Sequence, residues 1–194
     1  LGAIVSATDV RPAAKEQVAS LGANFIAVED EEFKQAEAAG GYAREMSEEY
    51  KKKQAELIAE TIPKQDIVIT TALSPGRPAP ELVTEDHVKS MKPGSVIIDL
   101  AAPQGGNCKA TRPGKVTQKN NVTIIGHLNV PSRLAADSSK LYAKNLLNFI
   151  AAFTDKETCT FSLNKDDAII QGVLLTENGQ VVHEKFAQKK SEAA

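Results

Sequence analysis

An acid stands where an apolar run stops. In AIVSATDVRP, residues 3–12, small and apolar residues lead to Asp9, and Arg11 and Pro12 open the next segment. A carboxylate at the carboxyl end of a buried strand is well placed to accept hydrogen bonds from ribose hydroxyls. A dinucleotide site needs two further features, a Gly-rich turn and a helix N-terminus for the pyrophosphate. The acid belongs at the end of the second strand, about twenty residues after that turn begins. Asp9 fits if one strand, one such turn and one helix precede Leu1. Leu1 and Gly2 then read as the end of that helix, and the chain as a fragment lacking its N-terminal portion. The same acid can instead cap the helix that starts near Pro12, and the residues alone leave both roles open. A negative charge at Asp9 repels a 2′-phosphate and favours NAD over NADP, although Arg11 beside it is able to receive one.

Other chemistry-bearing residues form no comparable pattern. His87, His127 and His183 are not spaced as a local metal site, and no carboxylate cluster joins them. His87 reads as a surface residue of a short helix, His127 as the end of a strand near the crevice, and His183 as structural. Cys108 and Cys159 lack metal-like or redox-like spacing. A disulfide stays open, and reduced thiols are the simpler reading. Lys51–Lys53 reads as a solvated helix face. With net charge −2, 42% hydrophobic and 25% charged residues among 194, the chain has no basic field for nucleic acid. No run approaches eighteen apolar residues, so no transmembrane helix is expected, and there is no signal-peptide pattern.

Strands are expected at 3–8, 23–28, 66–72, 95–101 and 122–126, and helices at 13–21, 48–62 and 84–91, with Thr84 as an N-cap. Residues 29–47 are acidic, Gly-paired and poor in large apolar residues. Strands alternating with helices, apolar without polar alternation, indicate a parallel sheet covered on both faces. The fold class is α/β: a doubly wound parallel sheet, Rossmann-like, lacking its first strand and Gly-rich turn. A helix over 138–153 follows, with Tyr142, Leu146, Phe149, Ile150 and Phe153 on one stripe. TFSL and AIIQGVLLT read as strand-like runs, and Asn178-Gly179 as the centre of a hairpin. This antiparallel tail leaves the βαβ rhythm and belongs to a second lobe, so the division expected is 1–134 and 135–194.

Five stretches in order, ATDVRPAAKEQVASLGA, GGYAREM, ITTALSPGRPAP, GSVIIDLAAPQGGN and GHLNVPSRLAADSS, closely resemble the NAD(H)-binding component of proton-translocating nicotinamide nucleotide transhydrogenases. The resemblance covers nearly the whole chain. The superfamily also contains alanine dehydrogenase, and a non-enzymatic dinucleotide-binding module of the same fold is a further reading. The resemblance implies direct hydride transfer between NAD(H), held here, and NADP(H), held by a partner component, coupled to proton movement through membrane-spanning components. It implies a homodimer at the cytoplasmic face of a bacterial inner membrane, or the matrix side in a mitochondrion, and a chain inactive by itself.

Carried over residue by residue, the resemblance places Asp9, Val10 and Arg11 at the adenosine ribose. Gly41 and Tyr42 fall on a mobile loop that closes over nucleotide, with Met46 nearby and Gln54 on the adenine side. Thr71, Ala72 and Leu73 lie beside the crevice. Alanine dehydrogenases carry a catalytic Asp directly before Gln-Gly-Gly. Here Pro103 stands there, which argues for the transhydrogenase.

Overall fold

The computed structural model describes residues 2–36, 46–73, 77–183 and 186. The chain divides into two units, 1–130 and 131–194. The first holds β1 (Ser6–Ala7), α1 (Pro12–Ser20), β2 (Asn24–Phe25), α2 (Glu31–Lys34), α3 (Glu48–Thr61), β3 (Ile67–Thr70), α4 (Glu85–Ser90), β4 (Val96–Asp99), β5 (Val116–Lys119) and β6 (Val122–Ile125).

Its main sheet runs β3-β4-β6-β5. β3 pairs with β4 in parallel, Ile67 opposite Val96 through Thr70 opposite Asp99, and β4 pairs with β6 in parallel. β5 closes the edge antiparallel to β6. The strand β5, VTQK, is not among those the sequence predicts. It alternates too weakly to announce itself, but Asn120 and Asn121 join it to β6 with φ of 51° and 60°. A two-residue hairpin turn of this kind requires positive φ at both positions, which asparagine tolerates.

Val68, Ile97 and Ile124 share one face of this sheet. Beneath them Ile58, Ile62, Val88 and Met91, from α3, the turn Ile62–Lys64 and the α4 region, complete an apolar core. The opposite face leaves Ile67 and Ile69 about 60% exposed. Among the described residues, the sheet is therefore covered on one face rather than both.

β1 and β2 pair in parallel as a separate two-stranded ladder. The run 3–8, expected to be a strand buried on both faces, contributes only Ser6–Ala7 to the ladder, and Ile4 is 89% exposed. The cause is pairing: among the described residues β1 bonds a strand on one side only. Composition predicts no regular element over 29–47, yet one helical turn, α2, forms there. Asp30 accepts the Phe33 N–H at 3.0 Å and so caps it, and Phe33 is driven into a second apolar cluster with Ala36, Met46 and Tyr50. The Glu32 carboxylate accepts from both the N–H and the hydroxyl of Ser47, and Ser47 caps α3, so α2 is tied to the start of α3.

The second unit contains α5 (Ala135–Ala152), α6 (Ala168–Val173), β7 (Thr176–Glu177) and β8 (Gln180–Val181). The Asn178-Gly179 hairpin forms as expected, antiparallel. AIIQGVLLT does not form a strand. Asp167 accepts the Ile169 N–H at 2.8 Å, and the first six residues coil into α6 with Ile170 buried. A short apolar run is ambiguous between helix and strand, and here the cap decides. TFSL makes only an isolated bridge, Phe161 to Thr154.

No described helix is long and apolar enough to cross a membrane.

Candidate functional site

The carboxyl ends of the parallel strands gather the chemistry, as open α/β sheets dictate. Asp9 follows β1 and is half-buried. The Arg11 N–H donates to its Oδ1 at 2.8 Å, Nε to Oδ1 at 3.0 Å and Nη2 to Oδ2 at 2.7 Å. Arg11 is itself the N-cap of α1, which has no side-chain cap. Asp9 therefore does not cap the helix. It turns the chain into α1 and grips a guanidinium. Burial pushes its carboxyl pKa up, but the Arg11 hydrogen bonds and charge outweigh this and hold it below the usual carboxylate range. Asp9 is ionised at neutral pH.

Val10 packs on the second cluster beside Phe25, Ala27 and Val28, and Met46 is buried in it. Tyr50, on α3, is buried, and its hydroxyl has no hydrogen-bond partner among the described residues. Burial raises its pKa, and the carboxylates of Asp30, Glu32 and Asp9 raise it further. The phenol thus stays a neutral donor within the field of Asp9. Gln54 lies half-buried one turn further along α3. Thr71, Ala72 and Leu73 continue from β3, with Leu73 exposed. Gly41 and Tyr42 lie outside the described residues.

The most heavily bonded group of this unit is one that the sequence motifs do not reveal. Asp99 ends β4 and is 1% exposed. Its Oδ1 accepts from the Thr70 hydroxyl at 3.0 Å and from the N–H groups of Ala101 and Asn107 at 3.1 Å. Its Oδ2 accepts from the Cys108 N–H at 3.0 Å and the Thr111 hydroxyl at 2.6 Å. Burial again pushes the pKa up, and these donors reverse it to a net lowering. Gly106 lets the loop close this tightly: its φ is +93°, and a Cβ there would lie 2.6 Å from Asp99 Oδ2. The only signal in the sequence is an acid ending the apolar run SVIID.

Asn107 is fully buried. Its Nδ2 donates to the carbonyls of Ala72 at 2.9 Å and Pro80 at 2.8 Å, and its Oδ1 accepts the Ala72 N–H at 3.0 Å.

His87 is not a surface residue. It is 8% exposed, and its Nδ1 accepts the Thr84 N–H while Thr84 Oγ1 accepts the His87 N–H, a reciprocal cap on α4. Both cysteines are free, Cys108 buried and Cys159 exposed. No group of His, Cys, Asp and Glu able to hold a metal exists among the described residues.

Known proteins share this sequence and fold. The family model described as alanine dehydrogenase/PNT, C-terminal domain, matches residues 1–184. The first section of the NAD(P) transhydrogenase alpha subunit of Rhodospirillum rubrum, a separate polypeptide there, is 58% identical over 183 residues, which are 94% of this chain and 48% of that protein. The crystal structure of transhydrogenase from Sinorhizobium meliloti superposes with a TM-score of 0.73 at 54% identity, over 93% of this chain and 46% of that one. An L-alanine dehydrogenase structure shares the fold, with a TM-score of 0.62 at 20% identity, over 95% of this chain and 45% of that one. The chain thus spans about half the length of these proteins.

Proposed function

The chain belongs to the alanine dehydrogenase/PNT C-terminal domain family, and from that premise we propose that it is the nucleotide-holding portion of the NAD(H)-binding component of a proton-translocating transhydrogenase. Its relatives at 54–58% identity are transhydrogenases, whereas the alanine dehydrogenase structure stands at 20%. The observation that carries the reading is Asp9: an ionised, half-buried carboxylate past the end of a parallel strand, not spent on capping a helix. Such a group fits the diol of an adenosine ribose.

The sheet supports the same reading. Among the described residues β1 bonds only β2, and β3 bonds only β4. The doubly wound order puts one strand, the one carrying the Gly-rich turn, between such a pair of edges. This sequence holds no Gly-rich turn ahead of Asp9, so the chain by itself is proposed to be inactive.

In this reading the nicotinamide, when bound, supplies the hydride chemistry. The chain's residues hold and orient. Asp9 accepts from the ribose, and Arg11 keeps its carboxylate charged and aimed. Val10 seats the turn on the apolar cluster. Gln54 serves the adenine side. Thr71, Ala72 and Leu73 wall the crevice. Gly41 and Tyr42, with Met46 at the root of their segment, close over the nucleotide and exclude water. Hydride passes directly to NADP(H) on a partner component, coupled to proton translocation by membrane-spanning partners. The protein acts as a homodimer on the cytoplasmic face of the bacterial inner membrane, or the matrix side of a mitochondrial one. Pro103 lies in the turn Ala102–Gln104 and offers no ionisable group, which speaks against amino-acid oxidation at that position.

The test is titration of the native polypeptide with NADH and NADPH, followed by nucleotide fluorescence, beside Asp9→Ala. A hydrogen bond to a charged group is worth about 1.5–3 kcal/mol, so the NADH Kd should rise about tenfold or more. NADPH should bind weakly to the parent and change less. Equal binding of both nucleotides, or an unaltered Kd in the variant, refutes the role of Asp9.

A further inference from the structure

The end of β3 does not hold its own shape. Beyond Thr70 the ladder to β4 stops, and residues 71–73 have no strand pairing of their own. A backbone that leaves a sheet must find other partners for its polar groups or face solvent. Ala72 finds both of its partners on one side chain. Asn107 Oδ1 takes its N–H, and Asn107 Nδ2 gives to its carbonyl. The amide thus stands in for a rung of sheet. The same Nδ2 also gives to the Pro80 carbonyl, so two points on either side of the intervening loop are tied to one atom. The Asn107 carbonyl accepts from the N–H groups of Leu82 and Val83, at 2.8 and 3.0 Å. Its own N–H is fixed by Asp99. The side chain is therefore held at its base by a buried carboxylate and spends its head on the crevice wall.

We infer that Asn107 is the positioning residue of the nucleotide wall formed by Thr71, Ala72 and Leu73. The inference rests on the reading of that wall as belonging to the dinucleotide site. Asn107 touches no ligand in this scheme. It sets where Ala72 lies, and Asp99, through the 107 N–H, sets where Asn107 lies. No aliphatic or acidic side chain reproduces the arrangement. Aspartate has the same shape but turns an oxygen toward two carbonyl oxygens, and alanine leaves the N–H and both carbonyls without their partner.

The experiment uses the native polypeptide with NADH as the probe. Asn107→Ala and Asn107→Asp are compared with Thr111→Val, which removes one donor to Asp99 Oδ2 and leaves the Ala72 contacts intact. Each is measured for NADH affinity and for unfolding midpoint. Both Asn107 variants should weaken NADH binding about tenfold, the low end of what an outer partner of a ligand shell is worth. Thr111→Val should lower the unfolding midpoint and keep its Kd within about twofold of the parent. A Kd that stays at the parent value in folded Asn107 variants overturns the inference, and so does an affinity that falls in step with stability across all three. If the Asn107 variants do not fold, exchange of the Ala72 amide in the parent decides: slowing on addition of NADH supports the inference, and an unchanged rate overturns it. Parent protein that binds no NADH, or an Asp9→Ala variant that binds like the parent, fails the nucleotide-site reading instead. Retained Asp9 dependence with indifferent Asn107 variants fails the inference alone.

Discussion

Replacing Asp99 by asparagine changes one oxygen into an NH2 group and little else, so its cost can be worked from the contacts. The orientation that loses least keeps Oδ1, with Thr70, Ala101 and Asn107 still donating, and places the new NH2 where Oδ2 was. The Thr111 hydroxyl can rotate and accept from it. The Cys108 N–H cannot, and is left buried facing another donor. An orphaned buried donor costs about 1–3 kcal/mol, and three remaining bonds fall from charged to neutral strength. A loss of about 3 kcal/mol follows, or roughly 8 °C in Tm for a unit of this size.

The pH dependence gives a second check. Asp99 has a folded pKa below its unfolded value. Its contribution is therefore present above the unfolded pKa of about 3.9 and is lost as pH falls toward the folded one. The difference between parent and Asp99→Asn should be complete at pH 7 and should shrink below about pH 4. The chain has no Trp, so urea unfolding followed by far-UV circular dichroism is the suitable assay. A variant within about 0.5 kcal/mol of the parent at pH 7, or a difference that does not change on acidification below about pH 4, refutes the idea that this carboxylate organises the loop.

Two glycines of the same loop separate strain from collision. Gly105 and Gly106 both have positive φ, but a Cβ on Gly105 meets nothing within 4 Å whereas one on Gly106 meets Asp99 Oδ2. Gly105→Ala should cost about 1 kcal/mol and Gly106→Ala clearly more, about 3 kcal/mol, in the same urea assay; equal costs would show that the close approach is not tight. The thiols should differ in reactivity. Burial raises the pKa of Cys108, so in the native state Cys159 should be alkylated by iodoacetamide at neutral pH while Cys108 is modified only on unfolding, read by peptide mapping; equal rates contradict the burial of Cys108.

Much of the frame is local and legible in the sequence. Apolar β-branched runs at 67–70, 96–99 and 122–125 become strands because their neighbours break helices and their own side chains suit a buried sheet. Thr84 caps α4 and Asn178-Gly179 turns a hairpin through contacts a few residues apart. Asp9 is legible as a candidate because its meaning lies in its place after a strand. Whether it caps the following helix is not, since that depends on which N–H its carboxylate meets.

Tertiary structure decided what depends on distant partners. SVIID and QGGN read as a strand and a turn. Nothing near Asp99 in the chain foretells Thr70, 29 residues before it, or Thr111, 12 residues after. Nothing near Asn107 foretells Ala72, 35 residues away. Hydrogen bonding and desolvation act through space, and their outcome is set only when β3 and β4 lie side by side. The exposure of Ile4, Ile67 and Ile69 has the same origin. Their apolar character is written in the sequence, but burial belongs to whatever packs against a face. The sequence by itself determined which segments want to be strands and where an acid follows one. The pairing of those strands determined which acid is buried, which loop it holds, and which carbonyls a single asparagine must satisfy.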